Sequence, residues 1–161
     1  MGLNVFLSFS VDPGDQVLIW RLQTLATAQG IALYVPLWQV VENRRSGPLP
    51  QVVRAAIDRA DCVLAIITTR TGPKVRDEIN YALQKNKLIV PLIEKSVPFP
   101  PIFKKLPQVF SFTQGEPPGR LESEVVQFLK EQQFKKEAGQ QLGAVIAIGL
   151  GLLALAALAQ D

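Results

Sequence analysis

The sequence predicts an α/β protein with a five-stranded parallel sheet flanked by helices, followed by one hydrophobic C-terminal helix. Three observations lead to this prediction. Short apolar runs alternate with amphipathic stretches, which is the order typical of a parallel sheet covered by helices on both faces. Two runs, 62–68 and 88–93, are apolar at almost every position, as in central strands that are buried on both sides. Finally, residues 142–159 form an uncharged segment of Ala, Gly and larger aliphatic residues.

The first predicted elements are a strand, a helix and a second strand. The run Leu3–Phe9 indicates a short buried strand, and Asp15 stands where it could cap a helix over Gln16–Gln29. Gly30 is expected to end this helix because glycine readily adopts the left-handed conformation found at helix ends. The β-branched and aromatic run Ile31–Val35 favours the second strand.

The same alternation continues to about residue 136. The stretch Pro36–Pro50 is irregular and longer than most connections, and long ordered loops are often functional. Three later stretches have apolar residues at helical spacing, which predicts three further helices. Their predicted inward residues are Leu49, Val52, Val53, Ala56 and Ile57 in the first, Val75, Ile79, Ala82 and Leu83 in the second, and Leu121, Val125, Phe128 and Leu129 in the third, over Leu121–Lys136. The remaining strands are predicted over Cys62–Thr68, Leu88–Ile93 and Val109–Phe112, with a loop over Thr69–Lys74.

Composition and charge exclude several classes of function. The chain has no histidine, which excludes Ser-His-Asp and Cys-His catalysis and imidazole metal ligands. Its one cysteine, Cys62, excludes an intrachain disulfide and a cysteine zinc site. The net charge of +3 is small and scattered, so nucleic acid is not expected to be the main partner. Any chemistry must therefore use carboxylates, hydroxyls, lysine, arginine and backbone groups, and no metal site is expected.

The apolar segment Leu142–Ala159 predicts a single transmembrane helix. As a helix it would be about 27 Å long, close to the ~30 Å of a hydrocarbon core. It divides the chain into an α/β domain over residues 1–136 and a tail over residues 137–161. The alternative is a buried helix or an oligomerisation plug in a soluble assembly.

The residues around the tail predict its orientation and its pairing. Lys130, Lys135 and Lys136 lie on the amino side of the apolar segment, so the positive-inside tendency places the α/β domain in the cytoplasm. Small residues recur every four positions, which favours close packing of tail helices in a homo-oligomer. They are Gly139, Gly143, Ala147 and Gly151.

Glu78 is the candidate catalytic residue. In parallel sheets ligands bind beyond the carboxyl ends of the strands, which here are the loops at 8–15, 36–50 and 69–74. Glu78 lies about one turn into the helix after the last of these loops, beside Ile79 at the edge of the buried stripe. Its carboxylate is therefore expected to face the cleft. The alternative is that Asp77 and Glu78 only complement the positive end of the helix dipole.

The order of several motifs resembles the TIR domain family, of the prokaryotic type, over about residues 3–135. The segment Val5-Phe6-Leu7-Ser8-Phe9-Ser10, followed by Asp12, is similar to the family's first box. Gly30–Val35 with the Pro36–Pro50 loop resembles its second strand and BB loop, and Ala60–Thr68 resembles its central strand. Val75-Arg76-Asp77-Glu78-Ile79, followed by Ala82, resembles the segment that holds the glutamate of NAD-cleaving members. The resemblance implies a flavodoxin-like TIR fold.

The resemblance also implies cleavage of the nicotinamide–ribose bond of NAD+, with hydrolysis or cyclisation to an ADP-ribose product. Glu78 would hold the ribose hydroxyls and stabilise an oxocarbenium-like transition state. The candidate substrate-binding residues are Phe9, Tyr34 and Trp38, which could stack on a flat ring, and Ser10 and Lys74, which could contact hydroxyl or phosphate oxygens. Each has a structural alternative: Phe9 and Tyr34 in the core, Lys74 in solvent, Trp38 as a loop anchor. NAD+ is then a substrate, and no cofactor is required.

Three functions are compatible with these residues. The first is a membrane-anchored TIR NADase or ADP-ribosyl cyclase in bacterial anti-phage defence signalling. The second is a non-enzymatic TIR adaptor that acts by self-association. The family's tryptophan before the valine is Lys74 here, and this departure favours the adaptor. The third is an enzyme similar to nucleoside deoxyribosyltransferases, which a base-exchange assay would distinguish.

Overall fold

The computed structural model describes residues 2–9, 13–36, 49–69, 73–98, 103, 106, 108–113 and 115–139. The strands are β1 (Asn4–Ser8), β2 (Ala32–Tyr34), β3 (Cys62–Ile67), β4 (Leu88–Glu94) and β5 (Phe110–Phe112). The helices of this part are α1 (Pro13–Ala28), α2 (Gln51–Arg59), α3 (Pro73–Gln84) and α4 (Arg120–Glu137). The predicted tail helix Leu142–Ala159 and most of the Pro36–Pro50 loop lie outside the described residues.

The five strands form one parallel sheet, which confirms the predicted number and direction of the strands, and their order is β2-β1-β3-β4-β5. Every residue of β3 and β4 is buried. Since both faces of these two strands are covered, their sequences show no alternation of polar and apolar residues.

Successive side chains along a strand pack alternately into two separate core layers, one on each face of the sheet. Along β1, Val5 and Leu7 pack beneath α1 and α4 on one face of the sheet. Phe6 packs beneath α2 and α3 on the other face. We call these the α1/α4 face and the α2/α3 face. The period of two along a strand therefore decides which helices each residue meets.

Two helices end in the same hydrogen-bonded turn, with a left-handed residue just beyond the helix. After α1 this residue is Gly30, whose φ is 77°, and Ile31 N donates to Ala26 O at 2.9 Å. After α3 it is Asn86, whose φ is 57°. The predicted end of α1 at Gly30 is confirmed, and asparagine takes the same role after α3.

The starts of two helices differ from the prediction. α1 begins at Pro13, so Asp15 lies inside its first turn and is not the cap. α3 begins at Pro73, so the last two residues of the predicted loop Thr69–Lys74 already belong to the helix. Both helices begin at a proline because its fixed φ and missing N–H suit the first helical position.

Two predicted inward residues also differ. Val52 of α2 is 55% exposed, because Val53, Ala56 and Ile57 alone form the buried stripe of this short helix. Phe128 of α4 is only half-buried and lies against the core. Among the described residues, no helix is both long enough and apolar enough to cross a membrane.

Candidate functional site

A buried hydrogen bond joins the end of β1 to α3. Ser8 is the last residue of β1, and its hydroxyl donates to Oε1 of Glu78 over 2.6 Å. Both residues are completely buried. This distance is in the range of a charge-assisted bond from a hydroxyl to a carboxylate. The bond therefore fixes one oxygen of Glu78 against the sheet.

The spacing of α3 explains why Glu78 points inward. Val75, Ile79 and Ala82 are buried on the α2/α3 face, and Glu78 lies three residues after the first and four before the last. Positions three and four apart share one side of a helix, so Glu78 belongs to the buried stripe itself. No acidic residue lies in the first turn of α3. Complementing the helix dipole is therefore not an adequate account of Glu78.

The Ser8–Glu78 pair lies where doubly wound sheets bind their ligands. In the strand order β2-β1-β3-β4-β5, the chain goes from β1 to β2 on one side and continues at β3 on the other. Ligands bind at this switch point, outside the carboxyl ends of the strands. Ser8 is at the carboxyl end of β1 and pairs in register with Ala65 of β3. The pair thus lies at the edge of the sheet where a ligand crevice is expected.

Tyr34 lies on the same face of the sheet as this pair. It is the last residue of β2 and is level with Phe6, two residues before Ser8 on the neighbouring strand. Its ring stacks on Phe6 with a centroid distance of 5.8 Å, and the residue remains 40% exposed. A ring that is held on one side and open on the other can still contact a flat ligand.

Phe9 is placed elsewhere. It is buried in the core of the α1/α4 face, whereas Glu78 lies on the α2/α3 face. Of the other predicted substrate-binding residues, Ser10 and Trp38 lie outside the described residues. Lys74 belongs to the first turn of α3, and its side chain is not among the described parts. The structure therefore brings Tyr34, but not Phe9, to the face that carries Glu78.

Sequence reasoning missed Ser8 as a partner of the carboxylate. The signal was present, because Ser8 ends an otherwise apolar run that is predicted to be buried. A buried hydroxyl requires a hydrogen-bond partner, and Glu78 is the acidic residue nearest to the buried stripe of a covering helix.

A second buried carboxylate lies at the same edge of the sheet, on the other face. Glu94 ends β4 and is level with Phe112 of β5, while residues 67 and 93 pair just before it. It is 7% exposed, and its Oε1 has no hydrogen-bond partner among the described residues. Leu92, two residues earlier, packs on the α1/α4 face, so the period of two assigns Glu94 to that face.

The other ionisable groups of the described part give no sign of a metal centre. Within these residues, no three His, Cys, Asp or Glu side chains are close enough to hold a metal ion.

Cys62, the first residue of β3, is completely buried. Its burial raises the pKa of the thiol far above the ordinary value, and the negative charge of Asp61 raises it further.

Comparison with known proteins identifies the family and the fold. The profile of the TIR domain family matches residues 5–129. A CMP N-glycosidase of Clostridium botulinum, BcmB, is similar over 80% of this chain and 98% of its own, with 17% identity and a TM-score of 0.50. The TIR domains of the activated Roq1 resistosome, which recognises the pathogen effector XopQ, are similar over 99% of this chain and 85% of theirs, with 14% identity and a TM-score of 0.51. At these identities the similarity shows a shared fold. A sequence search of curated proteins found no significant match.

Proposed function

Because this chain belongs to the TIR domain family, we propose that it is a glycohydrolase that cleaves NAD+ between nicotinamide and ribose. The observation that carries the proposal is the buried Ser8–Glu78 pair at the carboxyl edge of the sheet. The glutamate occupies the position that the family resemblance assigns to catalysis. The similarity to a CMP N-glycosidase adds support, since that fold carries N-glycosidic bond cleavage in another protein.

The reaction needs only the residue types that this chain has. The bond between C1′ of the ribose and the pyridinium nitrogen breaks, and its electron pair passes to the nitrogen. Nicotinamide leaves as a neutral molecule, so no general acid has to protonate it. A carboxylate beside C1′ stabilises the positive charge that develops on the ribose. Water then adds to C1′ and releases its proton to solvent; in the cyclising variant, a nucleophile of the substrate replaces water.

Ser8 has a positioning role in this proposal. Its bond to Oε1 fixes the direction of the Glu78 carboxylate before substrate arrives, which lowers the entropy cost of reaching the reactive geometry. Tyr34 offers an exposed ring on the same face for stacking. Phe9 is assigned to the core. The roles of Ser10, Trp38 and Lys74 remain as the sequence predicts them.

The substitution Glu78→Gln tests the catalytic assignment. It keeps the shape of the side chain but removes its charge, so we expect nicotinamide release to fall at least about 100-fold. Asp77→Asn is the matched control, since Asp77 is adjacent on α3 and only partly buried. Circular dichroism establishes that both variants fold. Retained turnover in Glu78→Gln would refute the assignment.

The adaptor is the competing function, and the complete burial of Glu78 is the observation in its favour. It predicts self-association without loss of NAD+ at any protein density. Nicotinamide release separates the two functions if it is measured at several protein densities on vesicles, with the association state measured by cross-linking. Turnover that rises with density supports an enzyme that works as an assembly.

The apolar segment Leu142–Ala159 supports the further proposal that a single helix anchors the chain in a membrane, with the α/β domain on the cytoplasmic side. Anchoring would concentrate the domain in two dimensions, which suits homo-oligomeric signalling in bacterial defence. The test is flotation of the full-length chain with lipid vesicles followed by alkaline extraction. An anchored chain stays with lipid after extraction, and a chain that is released would refute the proposal.

A further inference from the structure

The end of α4 is fixed to the amino-terminal edge of the sheet. Leu3 N donates to the side-chain oxygen of Gln133 over 2.9 Å. The ammonium of Lys136 donates to Gly2 O over 3.0 Å and to Oδ2 of Asp61 over 2.8 Å. The same Asp61 oxygen accepts a bond from the backbone N–H that begins β1. The point at which the chain leaves the domain is therefore held against β1 and β3.

The connection from this point to the apolar segment is short. The last described residue is Gly139, and the segment begins at Leu142. Three residues span at most about 10 Å. If the segment enters a bilayer, the amino-terminal edge of the sheet must then stand at the headgroup layer.

Several cationic residues lie at this edge, fully or partly exposed. The helices run antiparallel to the strands, so their carboxyl ends gather here. We use the name basic edge for four cationic residues that lie at these ends besides the paired Lys136: Arg59, Lys85, Lys87 and Lys135. Arg59 and Lys85 are exposed, whereas Lys87 and Lys135 are half-buried. Lys87 donates to Asp58 O over 2.9 Å at the end of α2.

The acidic residues nearby, Asp58, Asp61 and Glu137, are fewer than the cations. Asp61 is paired with Lys136, and Asp58 accepts a bond from the Tyr81 hydroxyl over 2.8 Å. Glu137 is exposed. Phe134, in the last turn of α4, is 66% exposed beside these cations. Phenylalanine next to lysine and arginine is a combination found in segments that lie at the membrane interface.

We propose that the basic edge docks on the anionic headgroup layer of the membrane, with Phe134 at the interface. The carboxyl edge of the sheet, which carries Ser8 and Glu78, then faces the aqueous phase, away from the bilayer. This proposal rests on the membrane anchoring proposed above. It adds the orientation of the domain and the chemistry of the lipid that sets it.

Two engineered cysteines in the full-length chain test the orientation. Gln84→Cys places a fluorophore at the end of α3 beside the basic edge, and Thr113→Cys places one after β5 at the opposite edge. Both native residues are exposed, whereas Cys62 is buried and should take up no dye. In vesicles that contain phosphatidylserine and a headgroup-attached quencher, we expect quenching at position 84 to exceed that at position 113 at least threefold.

The role of charge is tested by neutralising the basic edge. Arg59→Gln combined with Lys135→Gln should reduce the quenching at position 84 at least twofold on phosphatidylserine vesicles. Lys95→Gln is the matched control, because Lys95 is exposed at the opposite edge, and it should leave the quenching unchanged. The label at position 84 is also measured with the basic edge unchanged, on phosphatidylserine vesicles and on purely zwitterionic vesicles. If it is quenched equally on both, the role of anionic lipid is wrong.

The failures of the two proposals differ. Equal quenching at positions 84 and 113, in chains that float with vesicles and resist alkaline extraction, would overturn the orientation and leave the anchor intact. Chains that do not float would overturn the anchor and the orientation together.

Discussion

Ser8 shows how one hydroxyl can fix the direction of a buried carboxylate. Its partner lies 70 residues away in the chain, yet the two oxygens are 2.6 Å apart in the folded protein. Local patterns predict that Ser8 and Glu78 lie near the same edge of the sheet. They do not predict that the carboxylate is completely buried and bonded to Ser8, since that depends on how closely α3 packs on β1.

The substitution Ser8→Ala separates the two consequences of this bond. It removes the donor to Glu78 Oε1, so the free energy of unfolding should fall by about 1–3 kcal/mol. Turnover of NAD+ should fall about tenfold because the carboxylate loses its fixed direction. Denaturant titration and nicotinamide release measure the two effects. Ser8→Thr, which keeps the hydroxyl, should recover most of the activity; if it recovers stability alone, the positioning role is wrong.

Replacing the buried carboxylate of Glu94 is expected to stabilise the folded protein. A buried carboxylate oxygen without a partner lowers stability, and removing it is favourable when the shape is kept. We expect Glu94→Met to raise the free energy of unfolding by about 1–2 kcal/mol, measured by denaturant titration. Glu94→Gln keeps the polar atoms and should gain less. A loss of stability in Glu94→Met would mean that this oxygen is bonded in solution.

At the scale of the elements, continuous apolar runs predicted the bounds of the strands better than helical spacing predicted the starts of the helices. β3 and β4 were predicted nearly to the residue, because strands buried on both faces need no polar positions. The helix starts were predicted less well, since α1 begins at Pro13 rather than at Gln16, and α3 begins at Pro73 within the predicted loop Thr69–Lys74. Phe9 shows a further limit. Its period along β1 assigns it to the α1/α4 face, and the stacking role suggested by resemblance overlooked that geometry.

The two similar helix ends allow a matched test of backbone conformation. A Cβ on Gly30 would meet no atom within 4 Å, so Gly30→Ala should cost only the strain of its positive φ, about 1–2 kcal/mol. Gly30→Asn should cost less, because Asn86 already adopts this conformation after α3. Thermal unfolding measures both. Equal losses would indicate that contact, and not φ, decides the stability of this turn.

At the scale of the whole molecule, Cys62 reports on global unfolding. It lies at the start of β3 between Val5 and Leu88, and both burial and the charge of Asp61 raise the pKa of its thiol. The reactive thiolate is therefore scarce in the folded protein. At pH 8 we expect maleimide labelling to be at least about 1,000-fold slower in the native chain than in denaturant. Fast labelling of the native chain would show that the sheet opens locally at β3.

The strand order also decides when the sheet can form during synthesis. β1 lies inside the sheet, yet its neighbour β3 is made much later, since Val5 pairs with Cys62. At about 5–20 residues per second, a ribosome needs roughly 3–11 s to make the intervening chain. Over that interval the apolar β1 has no partner on its β3 side. Until β3 has emerged, the nascent chain must therefore avoid aggregation through its exposed β1, either unaided or with a chaperone that covers this strand.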